Sequence, residues 1–281
     1  MDIARERADF ESRGTRCAGT LFTPVGVANP PVVVLAHGFG GERTWRLPAF
    51  AERFAAAGVA AFVFDYRSFG DSDGEVRNHI SPTRQLTDWR AALDHARRLD
   101  AVDGDRVALW GTSLSGGHVV TTAADDGDVD AVVAQVPFTD GVRTTRHLVE
   151  TVGLEWGVAA IGAGVRDRFR SVTGRSPYRV PLVSAPGEFA LLNTPDALQG
   201  VVDLIPDGEE SVVNSTPARI ALSLPFYRPL TRAGEVDCPV FVAQATEDRL
   251  IPSDTTDALV RRLDDVERLR YPPGHFGGHT G

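Results

Sequence analysis

A serine set among glycines, where an apolar run breaks, is a place for covalent chemistry. LWGTSLSGGHVV, Leu109 to Val120, contains one: Gly111-Thr112-Ser113-Leu114-Ser115-Gly116-Gly117 approximates the G-x-S-x-G nucleophile elbow. An elbow holds its serine in a strained strand-to-helix turn, so the residues two positions either side must be small. Here Ser115 stands where the pattern has glycine, and Gly116 follows. The same position suits an ordinary helix N-cap, so the serine alone leaves two readings open. A nucleophilic serine needs a histidine base, and that histidine needs a carboxylate to orient it. ATEDRLIP puts Glu247 and Asp248 just after one downstream apolar run, and YPPGHFGGH puts His275 just after another. Serine, acid, histidine is the chain order that accompanies this elbow. The oxyanion of an acyl transfer also needs backbone N–H donors. Leu114 offers one at the start of a helix. HGFGG, His37 to Gly41, lets the backbone approach a ligand, and Phe39 is assigned as the second donor. His37 lies on the wrong side of that turn to be the base and is read as structural.

Residues so far apart must be gathered by regular elements. ADFESRGTRCAGTLFTP (Ala8 to Pro24) reads as one antiparallel hairpin around SRG. Buried strands are expected at Val32 to His37, Val59 to Tyr66, Asp105 to Gly111, Val129 to Val136 and Pro239 to Thr246, with a last short strand at Val266 to Pro272. Helices are expected at Leu47 to Gly58, ended by glycine, and at Ser81 to Leu99, with Ser81 as N-cap and Pro82 in first position. Another follows Ser113, and a fourth at Ser253 to Leu263 is capped by Ser253. Continuous Val/Ala/Phe runs alternating with helices mean a mostly parallel sheet covered on both faces, an α/β protein. Ligands bind at the carboxyl ends of such strands, where all of the candidates above fall. Residues 137–236 are too many for one structureless loop. They are expected to form a cap inserted over that edge, with 1–136 and 237–281 as the core. RTTRHLVETVGLEWGVAAIGAGVRDRFR within them is helical in pattern.

The net charge of −9 and the lack of an arginine cluster disfavour nucleic acid, which needs a basic face. All 29 basic residues are arginine, a feature that specifies no reaction. The start, MDIARERADFESRG, has no apolar core for a signal peptide, and no run reaches the ~20 residues of a membrane span. The expected setting is cytoplasmic. Cys17 and Cys238 are far apart and read as buried free thiols. His79, His95, His118 and His147 make no H-x-x-x-H pair with one another, so no metal is expected, and the chemistry needs no cofactor. His79, His95, His118 and His147 are assigned surface or structural roles.

LAHGFGG, FDYRSFGDSDG, WGTSLSGG, EDRLIP and GHF occur in order along nearly the whole chain. Together they resemble the α/β-hydrolases. In detail they are similar to the branch of dienelactone-hydrolase-like esterases, polyketide-transferase-like proteins and Xaa-Pro dipeptidyl-peptidase catalytic domains. SPYRVPLVSAPGEFALLNTPDAL and PARIALSLPFYRP resemble that branch too. The resemblance implies Ser113, Asp248 and His275 as a triad, with the Phe39 and Leu114 amides as oxyanion hole. Asp140, in VPFTDG, is the alternative acid, and His279 the alternative base. DYRSFGDSDG could suggest calcium, but it resembles a turn in which Asp and Arg tie a loop together. The aromatics Trp156, Phe169, Tyr178, Phe189, Phe226 and Tyr227 are candidates for an acyl pocket. The sequence stops six residues after His275, where this fold commonly adds a helix, so the histidine loop is expected to be less firmly held.

The expected activity is hydrolysis of a small to medium carboxylic ester through an acyl-enzyme, carboxylesterase-like. An acyltransferase or aminopeptidase would use the same triad; Glu150, Glu155, Glu188, Glu209 and Glu210 are available to hold an amine. A catalytically inactive binding protein is the reading from another class. The expected partner is a small ester or acyl compound, with self-association left open.

Overall fold

The apolar runs become neighbouring strands of one sheet. The computed structural model describes residues 2–185, 187–209 and 212–279. In chain order its elements are β1 (Ile3–Arg7), β2 (Phe10–Ser12), β3 (Thr15–Cys17), β4 (Gly19–Pro24), β5 (Pro31–Ala36), α1 (Leu47–Ala56), β6 (Ala60–Phe64), α2 (Pro82–Ala96), β7 (Asp103–Thr112) and α3 (Leu114–Asp126). Then come β8 (Ala131–Gln135), α4 (Gly141–Val152), α5 (Leu154–Val172), β9 (Arg179–Pro181), α6 (Ala197–Val202), β10 (Ser215–Pro217), α7 (Ile220–Ser223), β11 (Val240–Ala245), α8 (Ser253–Val260) and β12 (Val266–Tyr271). The large sheet runs β1-β4-β6-β5-β7-β8-β11-β12. From β6 to β12 every neighbour is parallel, while β4 is antiparallel to β6 and β1 to β4.

The strands are apolar at successive positions because each face meets its own core. Along β5, Val33 and Leu35 join Leu47, Ala51 and Ala55 of α1. The alternate Val32, Val34 and Ala36 join Trp89 and Leu93 of α2 and Val119 of α3. The period-2 pleat thus divides one apolar run between two cores. Of the segment 137–236, β9 and β10 pair only with each other among the described residues, and none of it joins the large sheet. Among the described residues no helix is long and apolar enough to cross a membrane.

The amino-terminal expectation needs correction. Residues 8–24 do not make one hairpin: β2 and β3 form a small one, and β4 leaves it to join the main sheet. A strand also forms at β1, whose IARER is mostly exposed at the sheet edge. Charged side chains suit an edge that must not pair further, and they also hide the strand's apolar signal. At the helix starts, Ser81 takes the N-cap position with no side-chain cap bond, and Ser253 is the first helical residue, preceded by Pro252 as N-cap.

Candidate active site

Four parallel strands deliver the candidates at their carboxyl ends. β5 leads into His37–Gly41, β7 into Ser113, β11 into Asp248 and β12 into His275. Ser113 has φ 57° and ψ −121°, a conformation a side-chain-bearing residue adopts only where its surroundings impose it. Its N–H donates to the Gln135 carbonyl at 2.9 Å, and its carbonyl accepts from the Phe138 N–H at 2.8 Å. The glycines are there for space. A Cβ on Gly111 would lie 2.2 Å from the Ser115 carbonyl oxygen, one on Gly116 2.8 Å from Pro137 Cα, and one on Gly38 2.8 Å from Ser113 Cβ. Ser115 is fully buried, and its hydroxyl meets the Tyr66 hydroxyl at 3.0 Å; Tyr66 in turn accepts from Trp89 Nε1 at 2.9 Å. The departure from G-x-S-x-G therefore leaves no buried hydroxyl unpaired.

Ser113 stands at the N-cap position of α3 but makes no cap bond there. Its Oγ lies instead 2.9 Å from His275 Nε2, and His275 Nδ1 lies 2.7 Å from Asp248 Oδ2. Both partner side chains are almost closed off, His275 4% and Asp248 5% exposed. Asp248 Oδ1 accepts the N–H groups of Leu250 and Ile251 at 2.9 and 2.8 Å, which fixes the carboxylate. With Nδ1–H donating to Asp248, Nε2 is free to take the Ser113 proton.

The rival residues are engaged elsewhere. Asp140 is buried as the N-cap of α4, accepting from Val142 and Arg143 N–H and pairing with Arg228 at 2.9 Å. Glu247 is exposed. His37 is buried edge-on to Tyr66, with Nδ1 3.0 Å from the Gly38 carbonyl, and burial lowers its pKa to about 4, so it is neutral. His118 Nδ1 meets the Tyr227 hydroxyl at 2.7 Å, and burial lowers its pKa to about 3. His147 Nε2 lies 3.1 Å from the Arg249 carbonyl, and His95 stacks on Phe10. Burial also lowers His79, to about 4. Glu210 and the side chain of His279 lie outside the described residues. Among the described residues no group of three or more His, Cys, Asp or Glu is placed to hold a metal. In DYRSFGDSDG, Asp65 binds the guanidinium and the N–H of Arg43 and accepts the Asp71 N–H, tying this turn to the loop that carries Phe39. Cys17 is buried and Cys238 only partly so; neither forms a disulfide.

Ser113, Phe39, Leu114 and His275 line one cleft. Neither the Phe39 nor the Leu114 N–H donates to another group among the described residues, leaving both for a ligand. Across from them stand Leu148, Leu192, Val201, Leu204 and Leu224, all from the segment 137–236. Only His37 and His275 among the lining residues are ionisable. The aromatics are not those expected. Trp45, Phe138 and Phe276 join Phe39, while Trp156, Phe169, Tyr178, Phe189, Phe226 and Tyr227 lie elsewhere. Trp156 donates to the Ala190 carbonyl, Tyr227 stacks on Phe138, and Phe169 and Phe226 face solvent. Aliphatic residues such as Leu148 and Leu204 gave no signal in sequence, because an apolar residue reads the same in a pocket wall as in a core.

A model of the alpha/beta hydrolase family matches residues 33–279, and the chain belongs to that family. Among curated relatives, the quorum-quenching protein AidA of Acinetobacter baumannii is 39% identical over 272 residues, 97% of this chain and 88% of its own. Polyketide transferase ATR5 of Stachybotrys chlorohalonatus is 29% identical over 187 residues, 66% of this chain and 59% of its own. Among solved structures, DcsB in complex with a substrate analogue superposes with a TM-score of 0.85 at 23% identity, over 99% of this chain and 94% of that one.

Proposed function

We propose that this chain is a serine hydrolase for carboxylic esters whose acyl group is uncharged and largely aliphatic. Ser113 attacks the ester carbonyl while His275, oriented by Asp248, takes its proton. The oxyanion sits on the Phe39 and Leu114 amides. The alcohol leaves with the proton from His275, and water, activated by the same histidine, releases the acid. The observation that carries this reading is the hydrogen-bonded line from Ser113 Oγ through His275 to Asp248 at the wall of an apolar cleft. Residues 137–236 act as the cap, since the aliphatic wall of the cleft comes from them.

The lining also bears on the alternatives. An aminopeptidase needs a carboxylate to hold an α-amine, and none of Glu150, Glu155, Glu188 or Glu209 lines the cleft. Acyl transfer would share the acyl-enzyme and differ only in its acceptor. The names of relatives, thiohydrolases and polyketide transferases, argue for thioesters and alternative acceptors in the substrate panel. A fluorophosphonate probe tests the class. Wild type should label, while Ser113→Ala and His275→Ala should not, and ester turnover in both should fall by about 10⁴-fold or more. Absence of labelling in folded wild type, or turnover surviving in Ser113→Ala, overturns the proposal.

A further inference from the structure

The outer face of α5 is apolar and exposed. Leu154, Val158, Ile161, Val165, Phe169 and Val172 are each 56% to 72% exposed. Their spacing of four, three, four, four and three residues places them within about 80° of one another, a straight stripe ~27 Å long on a 19-residue helix. The helix cannot roll to hide them. Its inner face is fixed by Gly164 against Leu222 and by buried Asp167, which binds Arg219 and the Tyr178 N–H. Monomeric proteins rarely expose a contiguous apolar surface beyond a few hundred Å².

We infer that this face pairs with the same face of a second copy of the chain, antiparallel, about a two-fold axis near Ile161 and Gly162. Three observations choose this occupant. Gly162 borders the middle of the stripe with open space where a Cβ would be, which lets a second helix come close there. Glu155 and Arg166 are exposed on the same flank, and neither makes an ion pair among the described residues; Arg166 instead rests over the Tyr178 ring. An antiparallel two-fold brings like flanks together, so Glu155 of each copy meets Arg166 of the other, while Leu154 meets Phe169 and Val158 meets Val165. Finally, six side chains releasing on the order of 100 Å² apiece approach the ~800 Å² per partner that a stable interface buries. A lipid surface suits the stripe less well, because the chain carries a net charge of −9.

The test is mass in solution over a wide concentration range, by light scattering or sedimentation. Wild type should weigh twice the 30.2 kDa of the chain, and Ile161→Glu should weigh 30.2 kDa with an unchanged circular dichroism spectrum. Should Ile161→Glu fail to fold, charge reversal decides. Glu155→Arg and Arg166→Glu should each weaken the dimer about tenfold, and the two together should restore it. A wild type that stays monomeric overturns the inference, and binding of that monomer to phosphatidylcholine–phosphatidylglycerol vesicles would assign the stripe to lipid. A dimer indifferent to all three variants overturns it as well.

Discussion

The nucleophile elbow and the histidine loop face each other across 2.9 Å, yet they are held in different ways. The elbow lies on β7, in the middle of the sheet, and is fixed by its own glycines and by backbone bonds to Gln135 and Phe138. The histidine loop follows β12, a mostly exposed strand at the sheet's edge. It is held by contacts from distant parts of the chain. Asp248 binds the ring, Gln135 Nε2 donates to the Gly278 carbonyl at 2.9 Å, and Phe276 packs on Gly200 of α6. The difference separates two kinds of precision. Local backbone geometry sets Ser113, whereas His275 depends on tertiary contacts that substitutions in distant parts of the chain can disturb.

The sharpest way to break this comparison is to exchange the roles of the two aspartates. Asp248→Asn should keep the histidine in place but favour the wrong tautomer, lowering kcat by roughly 10³ to 10⁴-fold. Asp140→Asn should leave kcat within a few-fold and instead lower stability by about 1–3 kcal/mol, since that carboxylate caps α4 and pairs with Arg228. Steady-state kinetics with a chromogenic ester and urea melts of both variants separate the outcomes. A collapse of kcat in Asp140→Asn alone would move the orienting acid to that strand.

A smaller effect probes the loop's remote support. A Cβ on Gly200 would lie 2.2 Å from Phe276 Cδ2 and 2.8 Å from its Cβ, too near the backbone for a rotamer change to relieve. Gly200→Ala should displace the neighbouring His275 and lower kcat/KM about 10- to 100-fold, because misplacing a base by about 1 Å costs on that scale. Gly234→Ala, where the nearest atom to the new Cβ is 3.8 Å away, should be neutral. If both variants keep wild-type kcat/KM, the histidine loop does not lean on α6.

These two regions were also unequally legible. Gly111 to Gly117 announces an elbow because small residues are demanded by contacts within a few positions. The central strands were visible because β5 and β6 are apolar at successive positions, filling cores on both faces. His275 and Asp248 could be placed at strand ends, but the contacts that hold the loop could not, since neither Gly200 nor Gln135 carries a local pattern. β1 escaped notice because an edge strand is charged for reasons unrelated to its conformation. The cleft wall escaped for the opposite reason: its leucines resemble any core, while the conspicuous aromatics of 137–236 went to packing, solvent and the outer stripe of α5.

The remaining prediction tests the elbow's side of the comparison, through the loop that carries Phe39. Glu42 lies in that loop, half-buried; burial, then Asp65 and Glu209, raise its pKa from the ordinary 4.5 to about 7. The folded state thus binds this proton more tightly than the unfolded chain. The resulting stability is fully present below about pH 4.5 and is lost as pH rises through 7. Glu42→Gln keeps the neutral shape without the titration. It should match wild type at pH 4.5 and exceed it at pH 8 by about 1–2 kcal/mol after allowance for solvent screening, a rise in Tm of a few degrees. Thermal melts at the two pH values measure this difference directly. A variant equally stabilised at both would mean that the gain does not come from this titration, and one destabilised at pH 8 would mean that Glu42 is held ionised by a partner. The Phe39 loop would then depend on that charge rather than merely tolerate it.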